Sequence, residues 1–398
     1  MTATIGSSAP RFDLDLFSDE NLTDPYPIYE RFRAAGPVVY LSAIDAYALA
    51  RYDDVRAGLG AHETFISGRG IGLSDEGNAT RKGVIIASDN PLHDQLRAVL
   101  SERLSPKAMN VIRAEINAKA DALVASVVAR TSFDAVTDLA QAFPLTIVAD
   151  LIGLPAADRR RLLEWADAGF NLWGPRNERN IRSLPVWAEL IDYIVTQATR
   201  DKLAPGSMGA AIYEAADRGA IALDQCPQLF VSYLVAGVDT TINAIANAIA
   251  YFAEFPDQWD LLRAQPTLIP SAFEEVLRHD APLQLVRRYC VRDVEVGGTA
   301  IPADSNVVLI YASGNRDERK YPEPARFDVT RNPVDHLTFG YGLHGCAGQA
   351  LARLEAHAIF RALAKRVARF EAGAPVRRLN NVMRGLERLP VTVSFPEE

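Results

Sequence analysis

The sequence predicts a mainly α protein with small peripheral β-sheets, folded as a single domain. Long runs of apolar residues at helical spacing dominate from Pro91 onward, with breaks at Pro and Gly. Stretches rich in β-branched and aromatic residues are few and short, so the sheets are minor. No Gly/Ser-rich or charge-rich linker divides the 398 residues, although length alone would suggest about two or three domains.

In chain order, residues 1–16 are expected to be a disordered tail, because Met1 to Pro10 is small and polar. Residues 17–398 then form the domain. Asp24-Pro25-Tyr26-Pro27 opens a helix that runs to about Ala34 and stops at Gly36-Pro37. Val38 to Leu41 and Ala46 to Arg51 read as a hairpin, and residues 53–60 as a short helix. Phe65 to Ile86 contains Gly68, Gly70, Gly72, Gly77 and Gly83 and reads as a long loop, of the kind that is usually functional. Helices follow with breaks near Pro106, Thr131 to Asp134, Leu154-Pro155, Gly174-Pro175 and Pro205-Gly206. One long helix is expected over about Asp224 to Phe255, stopped by Pro256, and another over Ile269 to His279. Val294 to Gly298 and Ser305 to Ile310 look like strands, residues 311–345 are mostly loop, and Pro390 to Phe395 alternates as a terminal strand.

The net charge of −8 and pI near 5.4 argue against nucleic acid or an anionic membrane as the main partner. Cys226, Cys290 and Cys346 lie far apart and make no disulfide framework, which fits a reducing cytoplasm. Met1 to Leu16 lacks the basic and apolar regions of a signal peptide. No stretch reaches about 18 uninterrupted apolar residues, so a soluble protein without a membrane span is expected.

The chemistry concentrates in Phe339-Gly340-Tyr341-Gly342-Leu343-His344-Gly345-Cys346-Ala347-Gly348, followed by a helical run from Gln349. A cysteine at a helix start faces free backbone N–H groups and the positive end of the helix dipole. Both are expected to lower its pKa and keep the sulfur anionic. Gly342 and Gly348 let a flat ligand approach the main chain. Such a thiolate suits an axial ligand to haem iron.

Phe339, Gly342, Cys346 and Gly348 fill a Phe-x-x-Gly-x-x-x-Cys-x-Gly pattern that resembles the haem-binding loop of the cytochrome P450 superfamily. The resemblance runs from about Asp24 to the C-terminus. It implies the P450 fold and a haem b with Cys346 as the metal ligand, held also by Phe339, Gly340, Gly348 and Ala236. Ala236-Gly237-Val238-Asp239-Thr240-Thr241 lies inside the longest apolar helix, where a buried acid is costly unless it is used. Thr240 can bond back to the Ala236 carbonyl and open the helix. The motif is similar to the family's oxygen-side motif, which implies that Asp239 and Thr240 relay protons to bound oxygen.

Glu275 and Arg278 stand three residues apart on one helix face and resemble the family's Glu-x-x-Arg pair. The family closes this pair with an arginine like Arg326, in Pro324-Ala325-Arg326-Phe327. His93 with Arg97, His344 and Arg288 match the positions that hold the haem propionates, with Arg287 competing for the last role. The glycine-rich loop resembles the family's lid over the substrate cavity.

Several stretches look like the bacterial subgroup that O-demethylates small para-substituted benzoates. On that resemblance Arg69 and Ser74 belong to the lid and Phe170 and Trp173 to the roof. Ser232, Val235, Leu283 and Val286 would line the sides. The subgroup's basic residue ahead of the oxygen motif is replaced by Val231, and a second serine by Val235. A carboxylate would therefore lose donors unless Arg69 compensates. The expected substrate is a small methoxylated aromatic, a lignin-type methoxyphenol or a para-methoxybenzoate.

With no fused reductase motif in the chain, the resemblance implies separate partners, a ferredoxin and an NAD(P)H-dependent ferredoxin reductase, with O2 as co-substrate. Arg103, Lys107 and Arg113 read as solvated charge rather than as a landing patch. A peroxide-driven peroxygenase would not need the Asp239-Thr240 pair. Tailoring of a terpenoid or macrolide would want a roomier roof, and a gas sensor needs neither relay nor lid.

Overall fold

The computed structural model describes residues 8–155 and 161–396. The expected disorder of residues 1–7 lies outside the described residues. Residues 8–16 correct the other half of that expectation. Arg11–Phe12 pairs in parallel with the strand at Val38–Leu41, and Leu16 is buried.

Six strands make the main sheet: β1 (Arg11–Phe12), β2 (Val38–Leu41), β3 (Ala46–Leu49), β4 (Phe65–Ile66), β5 (Val286–Cys290) and β6 (Ser305–Leu309). They run in the order β1-β2-β3-β6-β5-β4. The expected hairpin is β2–β3, antiparallel with Val38 opposite Leu49. Val307, Val308 and Leu309 of β6 are fully buried, as in a strand covered on both faces. β5 escapes sequence patterning because Arg287 and Arg288 interrupt its apolar alternation. A two-stranded pair, Val376–Leu379 with Arg384–Arg388, is likewise missed, since arginines crowd both strands.

Seven of the helices among the described residues carry or brace the site. They are α1 (Leu92–Leu104), α2 (Pro106–Val128), α3 (Arg161–Asn171), α4 (Cys226–Ala236), α5 (Asp239–Glu254), α6 (Ile269–His279) and α7 (Gln349–Arg366). Ser105 divides α1 from α2: its side chain accepts from the Ala108 N–H at 3.3 Å, and Pro106 takes a first-turn position. The α2–α7 contact is fastened by Arg366 to Asp121 at 2.7 Å.

The single long helix expected over Asp224 to Phe255 is two helices. Gly237 and Val238 form a turn between α4 and α5, and Thr240 Oγ1 donates to the Ala236 carbonyl at 2.9 Å. The hydroxyl takes the acceptor that the helix ladder would have used, as the sequence suggested. Pro256 both stops α5 and opens the next helix, Pro256–Ala264. Two helical stretches, Ala135–Ile152 and Leu223–Glu254, are apolar and long enough to cross a membrane. They are 61% and 78% buried inside the protein, because they build its core.

The lid is not a featureless loop. It carries β4 and a short helix, Asp75–Ala79, capped by Ser74, whose Oγ accepts from Gly77 N–H at 3.0 Å. The lid is seated on the segment after α3: Leu73 N–H donates to the Trp173 carbonyl at 3.0 Å. A Cβ at Gly77 would lie 2.2 Å from the Leu172 carbonyl oxygen, an atom of rigid backbone. Gly77→Ala should therefore destabilise the fold by about 1–3 kcal/mol. A thermal melt unchanged from wild type would refute this seating.

Candidate functional site

A cavity of about 250 Å³ lies between α1, α4, α5, the end of α3 and the cysteine loop. Its walls are mostly apolar. Phe170, Trp173, Ser232, Val235, Ala236, Thr240 and Leu283 line it, as do Phe339, Gly340, His344, Cys346 and Gly348 from the loop. Local geometry explains the loop's shape. Gly340 and Gly342 both take φ of 71°, a left-handed conformation that favours glycine. Gly342 also lies against the Leu59 carbonyl, where a Cβ would come within 3.0 Å. Cys346 N–H donates to Phe339 O at 2.7 Å and closes the loop. Gly348 departs from expectation: its φ of −87° is open to any residue. Its use is space, since a Cβ there would meet nothing within 4 Å.

Burial pushes the Cys346 thiol up, reversing the expected net lowering. The Gly348 and Gln349 N–H groups, with Arg97 and Arg353, pull the other way. Metal ligation deprotonates such a thiol outright. Cys226 and Cys290 are also free, but neither lines the cavity.

The fit to a haem rests on unpartnered donors. His93 is 1% exposed; its Nδ1 pairs with Asp94 at 2.9 Å, while its Nε2 has no partner. His344 Nε2 is likewise buried and unpaired, and the two rings meet edge-to-face at 4.6 Å. Arg97, half-buried on the same wall, makes no ion pair among the described residues. Desolvation lowers its pKa, and the nearby Cys346 opposes this. Unpaired buried donors are rare. Grouped around one thiol, beside an open glycine, they suit a flat group that carries two carboxylates and accepts a sulfur ligand. Arg288 is off the cavity wall but close to His344: burial first, then Arg288, holds that imidazole down to about 2. Arg287 is spoken for, since it donates to Arg69 O, Gly70 O and Asn306.

Other expectations need correction. Arg69 is off the cavity wall; it pairs with Asp304 at 3.4 Å, its side chain 58% exposed, and stacks on Tyr289. Ser74 is buried as a helix cap and accepts from Asn180 Nδ2, so its hydroxyl is not offered to a substrate. Val286 is buried in β5 without reaching the cavity. Glu275 and Arg278 form the expected pair, at 2.7 Å and fully buried. Arg326 does not close it: its side chain is 59% exposed, and only its carbonyl accepts from Arg278. Arg331 reaches Glu275 instead, at 3.4 Å.

Three features were missed by sequence reasoning. Glu274 binds His336 at 3.1 Å and Arg353 at 2.7 Å, and Arg353 lies over the Phe339 ring, so this trio braces the cysteine loop. Asp239 is fully buried and turned away from the cavity. Both its oxygens accept from Arg378 Nη2, at 2.8 and 2.7 Å. Burial raises the Asp239 pKa, with Arg378 opposing. Arg378 also lies 3.5 Å from Asp167 of α3. Finally, Arg81 of the lid lines the cavity at 3% exposure. Flanked by Thr80 and Lys82, it carries no sequence signal that sets it apart from a solvated charge.

Comparison with known proteins places this geometry. A family model described as cytochrome P450 matches residues 212–378. A protein described as cytochrome p450 CYP199A2, from Rhodopseudomonas palustris, is 42% identical over 394 residues, covering 98% of this chain and 96% of its own. Linalool 8-monooxygenase of Pseudomonas putida is 32% identical over 93% of this chain and 95% of its own. The solved structure of Mycobacterium marinum cytochrome P450 CYP268A2 in complex with pseudoionone superposes with a TM-score of 0.87 at 29% identity, covering 97% of this chain and 100% of that one. Family members use haem with a cysteine thiolate as axial ligand and act as monooxygenases. With the thiol, the unpaired donors and near full-length similarity in agreement, this chain belongs to the cytochrome P450 family.

Proposed function

We propose that this P450 O-demethylates small methoxylated aromatics, taking O2 and two electrons from a separate ferredoxin and its NAD(P)H-dependent reductase, in the cytoplasm. The observation that carries the reading is the roof. Phe170 and Trp173 stand 5.3 Å apart, ring planes inclined by 56°, over an apolar cavity with Thr240 on another wall. The two rings touch each other and together roof the cavity with aromatic surface against which a planar aromatic can pack, and apolar walls exclude water from it.

Haem bound at Cys346 would supply oxygen activation, one atom entering the substrate and the other leaving as water. His93, Arg97, His344 and Arg288 would hold its propionates. Thr240, its proton committed to the Ala236 carbonyl, keeps its oxygen lone pairs on the cavity side. Behind it, Asp239 in its ionised form, held by Arg378, picks up the next proton and passes it on. Hydroxylation of the methoxy carbon gives a hemiacetal that collapses to a phenol and formaldehyde.

The test is formaldehyde release by the reconstituted enzyme from a panel containing guaiacol, syringol, 4-methoxybenzoate and unmethoxylated controls. Formaldehyde is expected from at least one methoxyarene and from no control, and only with ferredoxin present. No formaldehyde from any member removes the reading. Full turnover with peroxide alone would favour the peroxygenase.

A further inference from the structure

We propose that a polar stripe on α5, made of Asp239, Asn243 and Asn247, is a water-lined proton inlet from a second cavity, with Asn247 as a positioning residue. The inference rests on the role given above to Asp239 and adds where its proton comes from.

Asp239, Asn243 and Asn247 follow one another at four-residue spacing and share one face of α5. Thr240, Thr241 and Ala244 line the catalytic cavity from another face, and none of the stripe residues does. The rest of α5 is buried through residues such as Ile242, Ile245, Ile249 and Phe252, so two asparagines among them are costly unless used. Asn243 is fully buried, and neither its Oδ1 nor its Nδ2 has a hydrogen-bond partner among the described residues. Asn247 is 2% exposed, and its Nδ2 is likewise unpartnered. Orphaned buried amides are rare, and water is the group that commonly satisfies them.

The stripe leads outward beneath the two-stranded pair Val376–Leu379 with Arg384–Arg388. Arg378, which holds Asp239, stands opposite Gly385 in that pair. A Cβ at Gly385 would lie 1.8 Å from Asn243 Oδ1, so the glycine makes room for this amide. The neighbouring register pair, Arg377 with Leu386, lines a second cavity of about 260 Å³ together with Asn247. Asn247 and Asp280 are buried in its wall, while Glu254, Ala372, Gly373 and Pro375 at its rim are exposed. Eight residues of helix separate Asp239 from Asn247, about 12 Å, which a short file of waters spans. A proton from solvent would hop along waters held by Asn247 and Asn243 to the Asp239 carboxylate, replacing each proton that Asp239 hands on. Asp280 does not intercept it: against burial, Arg384 and Arg377 hold its carboxyl down to about 2. The opposite exit, toward Asp167, is blocked by Arg378, whose guanidinium keeps its charge and hands no proton across.

Two measurements on the haem-loaded enzyme test the inlet. A crystal structure is expected to show ordered water bonded to the Asn243 and Asn247 amides, and a dry stripe overturns the proposal. Turnover is then followed as NADH-driven O2 uptake with ferredoxin, reductase and guaiacol or 4-methoxybenzoate, because O2 reduction consumes protons whether or not the ligand is oxidised. Asn247→Leu should lower the maximal rate at least about 5-fold and raise the solvent deuterium isotope effect at least about 2-fold, with ligand affinity unchanged. Its melting temperature should not fall, since leucine removes an orphaned amide rather than a bond. Asn247→Ser, which still holds a water, should recover most of the rate and covers poor folding of Asn247→Leu. Asp167→Asn should keep the wild-type isotope effect. An unchanged rate and isotope effect in Asn247→Leu overturns the inlet, as does a raised isotope effect in Asp167→Asn alone. If Asp239→Asn is slow in that case, Asp239 keeps its role and only the inlet falls. Full turnover in both Asp239→Asn and Asn247→Leu removes both.

Discussion

Glu275→Ala is expected to yield almost no haem-loaded protein, although Glu275 does not line the cavity. Its Oε1 accepts from Arg278 Nη2 at 2.8 Å, from the Asp328 N–H at 3.0 Å and from Arg331 Nε at 3.4 Å. Its Oε2 accepts from Arg278 Nε at 2.7 Å. Arg278 then donates onward to the carbonyls of Asn315, Pro324 and Arg326, which ties α6 to the chain leading into the cysteine loop. Both side chains are fully buried. Removing one partner leaves the other charge uncompensated, which costs about 3–5 kcal/mol. Against a total stability of about 5–15 kcal/mol, that is enough to unfold much of the protein. Arg326→Ala is the control: its exposed side chain should change stability by less than about 0.5 kcal/mol. Arg331→Ala should lie between the two. Haem content and thermal melts of the three variants decide the matter, and normal haem content in Glu275→Ala would refute the lock.

The contrast between Arg326 and Arg331 shows where sequence reading stops. Features set by local spacing were legible. Thr240 reaches Ala236 because they are four residues apart across the turn between α4 and α5, and Glu275 meets Arg278 because three residues bring them to one helix face. The glycines around Cys346 announced a close backbone approach, and two of them do adopt positive φ. Partners supplied by distant segments were not legible. Arg331 and Arg326 differ by five residues in an irregular stretch, where no periodicity says which one turns inward. Arg378 sits on an arginine-rich strand that looks solvated, yet it neutralises Asp239 from 139 residues away. The lid misled in the same way. Arg69 and Arg81 both follow glycine-rich, flexible-looking sequence, but Arg69 turns out to Asp304 while Arg81 turns in beneath Trp173 and Trp187. The thiol was misjudged because helix-start electrostatics were counted and desolvation was not.

Asp239→Asn is expected to lower product formation by about 10²–10⁴-fold, the range that a positioned proton carrier contributes. Substrate affinity should stay within about twofold, because the carboxylate faces Arg378 and not the cavity. The fold should hold as well: Arg378 keeps Asp167 as a nearby counter-charge at 3.5 Å. Arg378→Gln probes the same step from the other side. Without the guanidinium, burial acts on Asp239 with only Asn243 opposing it, and its already raised pKa climbs further. If the ionised carboxylate must collect a proton from solvent, fewer molecules hold that form at a given pH. The acidic limb of the pH–rate profile should then move to higher pH, with turnover recovering as pH rises. Asp239→Asn should abolish that limb altogether. A merely structural salt bridge would move neither limb, and would instead lower the melting temperature in both variants while leaving turnover per folded haem unchanged. Full turnover in folded Asp239→Asn would therefore assign the proton path to Thr240 and water alone.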